Sequence, residues 1–524
     1  MASALTLLLC ASVACSSVSV GASKTFVWLS DSHLDRYYGT PRAEMHKTTA
    51  PCNRSDAPLF SAYGCGSPPA LVEAAVKASS SATDDLPDDW PTPSFVLFTG
   101  DSARHNELSK EDVLADIKIV NDLFAQYYPD IPVVRLPTLD LGNNDFPSDY
   151  NINVTSHVAC LPTFEDDSGT LVSVSHGTIV FPVPTNEWLQ TVAEQQSYMF
   201  VDELEKATFA CGGYLNRQLG DNLQVIILNT IIWSMSLTPK PQSKMDQEDP
   251  FGQFQWLRSQ LESARIENNK VYVTGHIPPM LQSFTGSLGN PLYDIEKASR
   301  LWDLMEEYQD VIAGIFVAHV HSNELRHIPS FSGDAAPMFV GTSISPCYTT
   351  NPAFRIVKYS EETHAVEDMA TFSVDLEKDV DTEKPFSRIV PSLTEFLGME
   401  SLTNKETLEL ATKLLPGGDE EVWDNYFNSW YKGPAQTQCD SAECQRGEAC
   451  LMACGFNSDN WNSCNASSAS IEISCGFVRS DTPTKCEENC DDDTSGGQTN
   501  CHPIFLSLLI LYYFLPSLWL REFS

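Results

Sequence analysis

Seven residues in five short segments are of the types that bind metal ions, and each segment follows or lies near an apolar run. Asp31-Ser32-His33 follows Thr25-Phe26-Val27-Trp28-Leu29 and sets a carboxylate and an imidazole two residues apart on a turn. Gly100-Asp101 follows Phe95-Val96-Leu97-Phe98, and the glycine lets the chain turn sharply enough for one short carboxylate to reach two cations. Gly142-Asn143-Asn144-Asp145 offers an amide oxygen at Asn143, Gly275-His276 a further imidazole, and His319-Val320-His321 two more. Such a mixture of imidazole, carboxylate and amide oxygen suits zinc, iron or manganese better than calcium.

Each piece alone has a plainer reading. An aspartate after a strand caps a helix, an asparagine after glycine makes a turn, and a single histidine sits at the surface or in a satisfied core. In this order, each near a strand end, they point to one built site.

The elements that must position them are short runs rich in Val, Ile and Phe alternating with polar helical stretches from Phe26 to about Ser373. Besides the two runs above, Val133-Val134, Val225-Ile226-Ile227-Leu228, Val271-Tyr272-Val273 and Ile315-Phe316-Val317 read as buried strands. The fold class is α/β, in layers, with the chemistry at the carboxyl edge of a sheet. From Pro391 the texture becomes helical, with apolar residues at helical spacing over Thr403–Leu415 and Glu420–Trp430. Eight cysteines in about fifty residues follow, from Cys439 to Cys490, and read as a disulfide-stapled module. The domains expected are 1–22 signal peptide, 23–385 catalytic, 386–490 helical and cysteine-rich, and 491–524 acidic linker with an apolar tail.

The 524 residues carry 70 Asp plus Glu against 32 Lys plus Arg, a net charge of −38, which opposes general nucleic-acid binding. A phosphate substrate is still compatible, because bound metal ions reverse the local field. The apolar N-terminus ending at Val20-Gly21-Ala22 resembles a signal peptide, and the sequons at Asn53, Asn153 and Asn465 fit export to an oxidising compartment. Ile504–Leu520 reads as a short spanning helix or, after Ser495-Gly496-Gly497, as a lipid-anchor signal. Either one tethers the chain to a membrane with its bulk outside or in a lumen.

The ordered set resembles the calcineurin-like metallophosphoesterase superfamily and, within it, the acid sphingomyelinase-like phosphodiesterases. The resemblance is carried by Asp31-Ser32-His33, Tyr63-Gly64-Cys65-Gly66-Ser67-Pro68-Pro69, Gly100-Asp101 with His105, Leu228-Asn229-Thr230, Gly275-His276-Ile277-Pro278-Pro279 and His319-Val320-His321. Leu393 through Trp430 to Cys454 is similar to that family's helical, cysteine-rich C-terminal domain.

The resemblance implies a four-layer β-sandwich flanked by helices and two divalent metal ions, zinc by expectation. Asp31, His33 and His321 would hold one, Asn143, His276 and His319 the other, and Asp101 would bridge them. Hydrolysis of phosphodiesters of nucleotides or phospholipid head groups, by hydroxide on the metal pair, is the activity implied. Three positions depart from the family pattern. Asn144 replaces a histidine and cannot deliver a proton, so the general acid falls to His105, with Asn144 left to hydrogen-bond the phosphate. Ala318 replaces a glycine, and Asn323 stands where Asp is common, changes read as able to alter substrate contacts. The stretch Thr99–His105 with Gly142–Asp145 also resembles endopolyphosphatases, which with Arg104 makes cleavage of polyphosphate the second reading. A catalytically silent surface protein that retains its metals is the third.

Few residues precede Phe26, leaving no room for a lipid-lifting saposin-type domain, which turns the expectation away from sphingomyelin and toward soluble phosphodiesters. Cys52 is expected to pair with Cys65 and Cys160 with Cys211, with Cys347 either joined to the C-terminal module or free. His46, His157, His176, His327, His364 and His502 fall outside the ligand positions, though any one of them could line the cleft.

Overall fold

The computed structural model describes residues 22–466 except 88, 108, 130–140, 155–159, 161–162, 166–177, 181–185, 221, 284–288, 432–438 and 440. The N-terminal apolar run, the Val133-Val134 strand, the cysteines from Cys475 onward and the C-terminal apolar tail lie outside the described residues. No helix among the described residues is long and apolar enough to cross a membrane.

Thirteen strands are described, in chain order β1 (Ser23–Leu29), β2 (Pro93–Phe98), β3 (Thr163–Glu165), β4 (Thr178–Val180), β5 (Leu215–Gly220), β6 (Leu223–Leu228) and β7 (Lys270–Gly275). The remainder are β8 (Ile312–Val317), β9 (Glu324–Arg326), β10 (Met338–Val340), β11 (Ala353–Ser360), β12 (Val366–Ser373) and β13 (Ser387–Val390). They form a five-stranded sheet in the order β13-β12-β11-β1-β2, a six-stranded sheet in the order β5-β6-β7-β8-β10-β9, and a small β3-β4 pair. β1 and β2 run parallel, as do β6, β7 and β8. The strands expected around Phe26, Phe95, Val225, Val271 and Ile315 are therefore present, and the layered α/β class stands.

Strand alternation explains why the sheets stack. Successive side chains of a strand point to opposite faces. Phe26, Trp28, Phe95 and Leu97 join one buried cluster, while Val27, Leu29, Val96 and Phe98 join another with Leu71, Val72 and Val76 of the helix Pro69–Ser80 and Phe124 of the helix Lys110–Tyr127. Between the sheets, Phe26 and Trp28 meet Phe316 edge-on at 5.4 and 5.2 Å, and Phe26 lies 5.8 Å from Tyr272. Helices cover the outer faces, giving the layers that β1 and β2, buried on both sides, require.

The β13 strand extends the first sheet to Val390, so the boundary expected at 385/386 falls just before it. The expected helices appear as Asn404–Lys413 and as Glu420–Trp423, which widens into a π-helical stretch over Asp424–Tyr431. Leu393, Leu410, Trp423 and Met452 belong to the same core cluster as the second sheet. The helix Ala442–Cys454 is attached to that sheet by polar contacts, His327 N donating to Met452 O (2.9 Å) and Arg326 Nη1 to Leu451 O (2.6 Å). Disulfides join Cys439 to Cys444 and Cys450 to Cys464, and the expected Cys52–Cys65 and Cys160–Cys211 bonds are formed.

Asn323 takes a structural part. Its Oδ1 accepts from Arg355 Nη2, whose Nη1 donates to Val340 O at 3.0 Å, so a fully buried guanidinium on β11 ties the first sheet to the second. Burial pushes the Arg355 pKa down to about 9. The reading that Asn323 alters substrate contacts is corrected accordingly: its amide is engaged in the core. Arg355→Ala is expected to lower unfolding free energy by about 2–4 kcal/mol, from a cavity and an unpaired carbonyl, read as a drop in denaturation midpoint with unchanged slope.

Candidate metal centre

The candidate ligands converge at one edge because their strands are parallel. β1 ends at Leu29 just before Asp31 and His33, β2 at Phe98 before Asp101, β7 at Gly275 before His276, and β8 at Val317 before His319 and His321. Asn143 opens a short helical turn, Asn143–Asp145. Loops from different strands interlock: Asp31 N donates to Gly100 O and His33 N to Asp101 O, both at 3.0 Å, and Ala318 N donates to His276 O at 2.8 Å.

Five of the seven adopt backbone conformations that L-residues avoid, with φ of 49° at Asp31, 38° at His33, 56° at Asp101, 74° at His319 and 54° at His321. Left-handed residues of this kind cost on the order of 1–3 kcal/mol each and gather where function over-determines the chain. Here the turns bend each side chain back across the sheet edge.

The candidate donor atoms face one another. His33 Nε2 lies 3.0 Å from His321 Nε2, His276 Nε2 3.3 Å from His319 Nδ1 and 3.0 Å from Asp101 Oδ2, and His321 Nε2 3.2 Å from Asp31 Oδ1. Other ring nitrogens are oriented by carbonyls, His33 Nδ1 by Ala103 O (3.2 Å) and His276 Nδ1 by Thr99 O (2.7 Å), the second contacts usual for metal-binding imidazoles. Asp31 Oδ1 and Asn143 Oδ1 are buried without a hydrogen-bond donor. Opposed imidazole nitrogens and orphaned oxygens turned toward the same space are what a cation between them would satisfy, so these residues fit a metal pair.

Burial and neighbouring charge pull the titratable groups of the cluster in different directions. Burial and the neighbouring His105 push His33 down to about 4, and burial with the neighbouring His276 pushes His319 down to about 3. Burial also acts to lower His276, but the Asp101 carboxylate outweighs it and raises that imidazole to about 10. Asp31 and Asp101 stay well below the usual carboxylate range because surrounding imidazoles outweigh their burial.

The supporting shell is dense. Asp145 ties two ligand loops together, Oδ1 accepting from Ser102 N (2.9 Å) and Ala103 N (3.1 Å) and Oδ2 from Gly142 N (3.1 Å). Burial and the nearby Asp101 push its pKa up to about 7. Asn144 donates twice to Asp101, from its backbone N to Oδ1 (2.9 Å) and from Nδ2 to Oδ2 (2.8 Å). Its established contact is thus with the carboxylate, and one N–H of the side-chain amide remains for other use. Thr230 of the Leu228-Asn229-Thr230 motif accepts from Ile277 N at 2.9 Å and fixes the turn bearing His276. Ala318 continues β8 into the ligand loop.

His105 comes to the same pocket, its ring stacked on that of His33 with centroids 3.8 Å apart. Its Nδ1 lies 2.5 Å from Glu44 Oε1, and its Nε2 lies 3.3 Å from the Tyr348 hydroxyl. Burial alone would lower the His105 pKa, but Glu44 outweighs it and raises it. His105 also joins His33 and His321 in a group of converging metal-binding atoms.

Sequence reasoning missed Glu44, Tyr150 and Tyr348, read Cys347 only as a disulfide partner or free thiol, and left His46 among the non-ligands. Tyr150, on a left-handed turn with Ser148 and Asp149, places its hydroxyl 3.4 Å from His319 Nε2. Cys347, buried and unpaired among the described residues, sets Sγ 3.6 Å from His321 Nδ1, which answers the question left open for that thiol. Burial pushes that thiol well above its ordinary value. His157, His176 and His502 lie outside the described residues, His364 packs against Tyr359, and His327 serves the helix contact above.

An α/β sandwich with histidine, aspartate and asparagine donors gathered in this order at one sheet edge resembles the calcineurin-like metallophosphoesterases. Within that class the chain is similar to the acid sphingomyelinase-like phosphodiesterases. It is 24% identical over 448 residues to the human acid sphingomyelinase-like phosphodiesterase 3b, covering 82% of this chain and 87% of the relative. It is 25% identical over 455 residues to the human cyclic GMP-AMP phosphodiesterase SMPDL3A, covering 83% and 88%. The match to sphingomyelinase phosphodiesterase D of Dictyostelium discoideum, 26% over 323 residues, takes in 61% of this chain and 63% of that protein, just under two thirds of its length. No family model matches the chain.

Gly142 tests the convergence. A Cβ there would sit 1.8 Å from Asp101 Oδ1. Gly142→Ala is expected to displace that carboxylate and weaken metal binding by roughly 10–100-fold, measured by elemental analysis after dialysis. Chelation of the native protein is expected to lower its melting temperature, because ions that bind only the folded state stabilise it, and added zinc is expected to restore it.

Proposed function

We propose that this chain is a metal-dependent phosphodiesterase acting on nucleotide or phospholipid-head-group diesters. The observation that carries the reading is the convergence of Asp31, His33, Asp101, Asn143, His276, His319 and His321, with two orphaned oxygens, beside His105. Asp31, His33 and His321 would hold one ion, Asn143, His276 and His319 the second, and Asp101 both. When bound, such a pair supplies a Lewis acid for the phosphoryl oxygens and a more acidic water.

The chain's own residues do the rest. In hydrolysis the oxygen of one water bonds to phosphorus, the bond to the leaving oxygen breaks, and the water's proton passes to solvent. His105 Nε2 faces the pocket and gives its proton to the leaving oxygen. Tyr348 and Tyr150 flank the pocket from the His105 and His319 sides. Asn144 orients Asp101, and its remaining N–H is available to a phosphoryl oxygen.

The polyphosphatase reading draws on Asn144 and Arg104. Arg104, however, is already engaged, donating to Glu107 Oε2 (2.6 Å) and to Arg42 O (2.7 Å) and lying 3.6 Å from Asp35 Oδ1. Its charge is not open to a polyanion, which favours the diesterase. Zinc as the resident metal, export of the chain and a membrane tether through the tail belong to the same proposal.

The test is hydrolysis of a phosphodiester, a nucleotide, sphingomyelin in detergent and polyphosphate by the full-length glycosylated protein, with and without chelator and zinc. Diester cleavage lost on chelation and regained with zinc is expected. Cleavage of polyphosphate alone would overturn the reading. Turnover by no substrate, but recovered in Asn144→His, would instead favour the silent surface protein.

A further inference from the structure

Glu44 stands outside every motif that drew attention in the sequence, yet its carboxylate is among the most constrained groups of the pocket. It is buried, and its Oε1 lies 2.5 Å from both His105 Nδ1 and His46 Nε2, while Oε2 accepts from His105 N at 3.3 Å. Its own backbone is held as firmly. Glu44 N donates to Asp35 Oδ2 (2.7 Å), His46 N donates to Gly64 O (2.8 Å), and Met45 bridges to Cys65 of the Cys52–Cys65 disulfide. Gly66 makes room for it, since a Cβ there would stand 2.8 Å from Glu44 Oε2.

We propose that Glu44 is the positioning residue of the general acid: its carboxylate, at ion-pair distance from His105 Nδ1, holds the ring so that Nε2, beside the Tyr348 hydroxyl, presents its proton to the leaving group. His46 binds the same oxygen, its ring 4.6 Å from that of His105 and 5.0 Å from that of Tyr348, and so fixes the carboxylate in turn. The inference rests on the phosphodiesterase reading and deepens it. It also accounts for how the site works with Asn144 in place of a proton-bearing histidine. A carboxylate that accepts from one imidazole nitrogen sets which tautomer and which face the other nitrogen offers.

A merely structural glutamate and a positioning one differ in how the leaving group matters. A p-nitrophenolate departs without protonation, whereas an alkoxide needs the proton, so loss of general-acid help falls on alkyl esters. The experiment compares wild-type, Glu44→Gln and His105→Ala full-length proteins on bis(p-nitrophenyl) phosphate and on a dialkyl-type diester such as glycerophosphocholine, with metal content measured for each.

The expected result is a loss of roughly 10²-fold on the alkyl diester and only a few-fold on the nitrophenyl ester. Unchanged metal content in Glu44→Gln, and no further loss when it is combined with His105→Ala, are also expected. Equal loss on both esters, or loss of metal in Glu44→Gln, overturns the proposal. Wild-type protein that turns over neither ester sinks the diesterase reading, and the proposal with it. Should Glu44→Gln fail to fold, the ¹⁵N shifts of the His105 ring in wild-type protein decide: a proton on Nδ1 supports the assignment, and a bare Nδ1 overturns it.

Discussion

The rest of the structure is organised around one electrostatic constraint, the crowding of imidazole nitrogens and carboxylate oxygens into a space that hides them from water. His33 Nε2 and His321 Nε2 stand 3.0 Å apart, and Asp31 Oδ1 is buried beside them with no donor. Such an arrangement is repulsive or unsatisfied unless protons or cations fill it, and burial has already driven His33 and His319 toward the neutral form. The left-handed turns at five of the candidate ligand positions hold the donors there at a conformational cost. They are tolerable because backbone bonds between loops, the Asp145 carboxylate and the two donations from Asn144 leave the loops no other way to pack.

That constraint explains the architecture more directly than any single element does. Parallel β1 and β2 in one sheet and parallel β6, β7 and β8 in the other bring their carboxyl ends to a common rim only if the sheets are locked face to face. The aromatic contacts of Phe26 and Trp28 with Phe316, and the buried Arg355 joined to Val340 O and Asn323, provide that lock. Helices after β13 add to the second sheet's core, so the cysteine-rich segment up to Cys464 braces β9 and the residues that follow it.

Much of this was legible in the sequence because strands and their ends leave local marks. Runs such as Val225–Leu228 followed by Asn229 can belong to little else, and an ordered series of donors after such runs fixes both the sheet edge and the candidate ligands. Residues brought in by the tertiary path left no such mark. Glu44 and His46 sit in an irregular loop whose course depends on the Cys52–Cys65 bond and on Gly66, and Tyr348 and Cys347 lie in the loop that crosses from β10 of one sheet to β11 of the other, which the donor pattern never reached. Asn323 was misread for a related reason: nothing near it in sequence announces that a guanidinium from β11 occupies its side chain.

In the proposed function, Asn144 keeps one duty of the histidine found at this place in the resembled family and gives up another. A histidine at that point would have two tasks, to steady the neighbouring carboxylate and to carry a proton. Asparagine retains the first, since its backbone and side-chain N–H groups both donate to Asp101, and gives up the second, since an amide does not titrate in the working range. An imidazole elsewhere can supply the missing proton only if its ring is prevented from turning and its charge is stabilised where water is scarce. Stacking on His33 restrains the His105 ring, and the buried Glu44 carboxylate raises its pKa against the effect of burial. Under the proposed reading, Asn144 and the carboxylate at 44 are two halves of one arrangement, with metal positioning and proton delivery assigned to separate side chains.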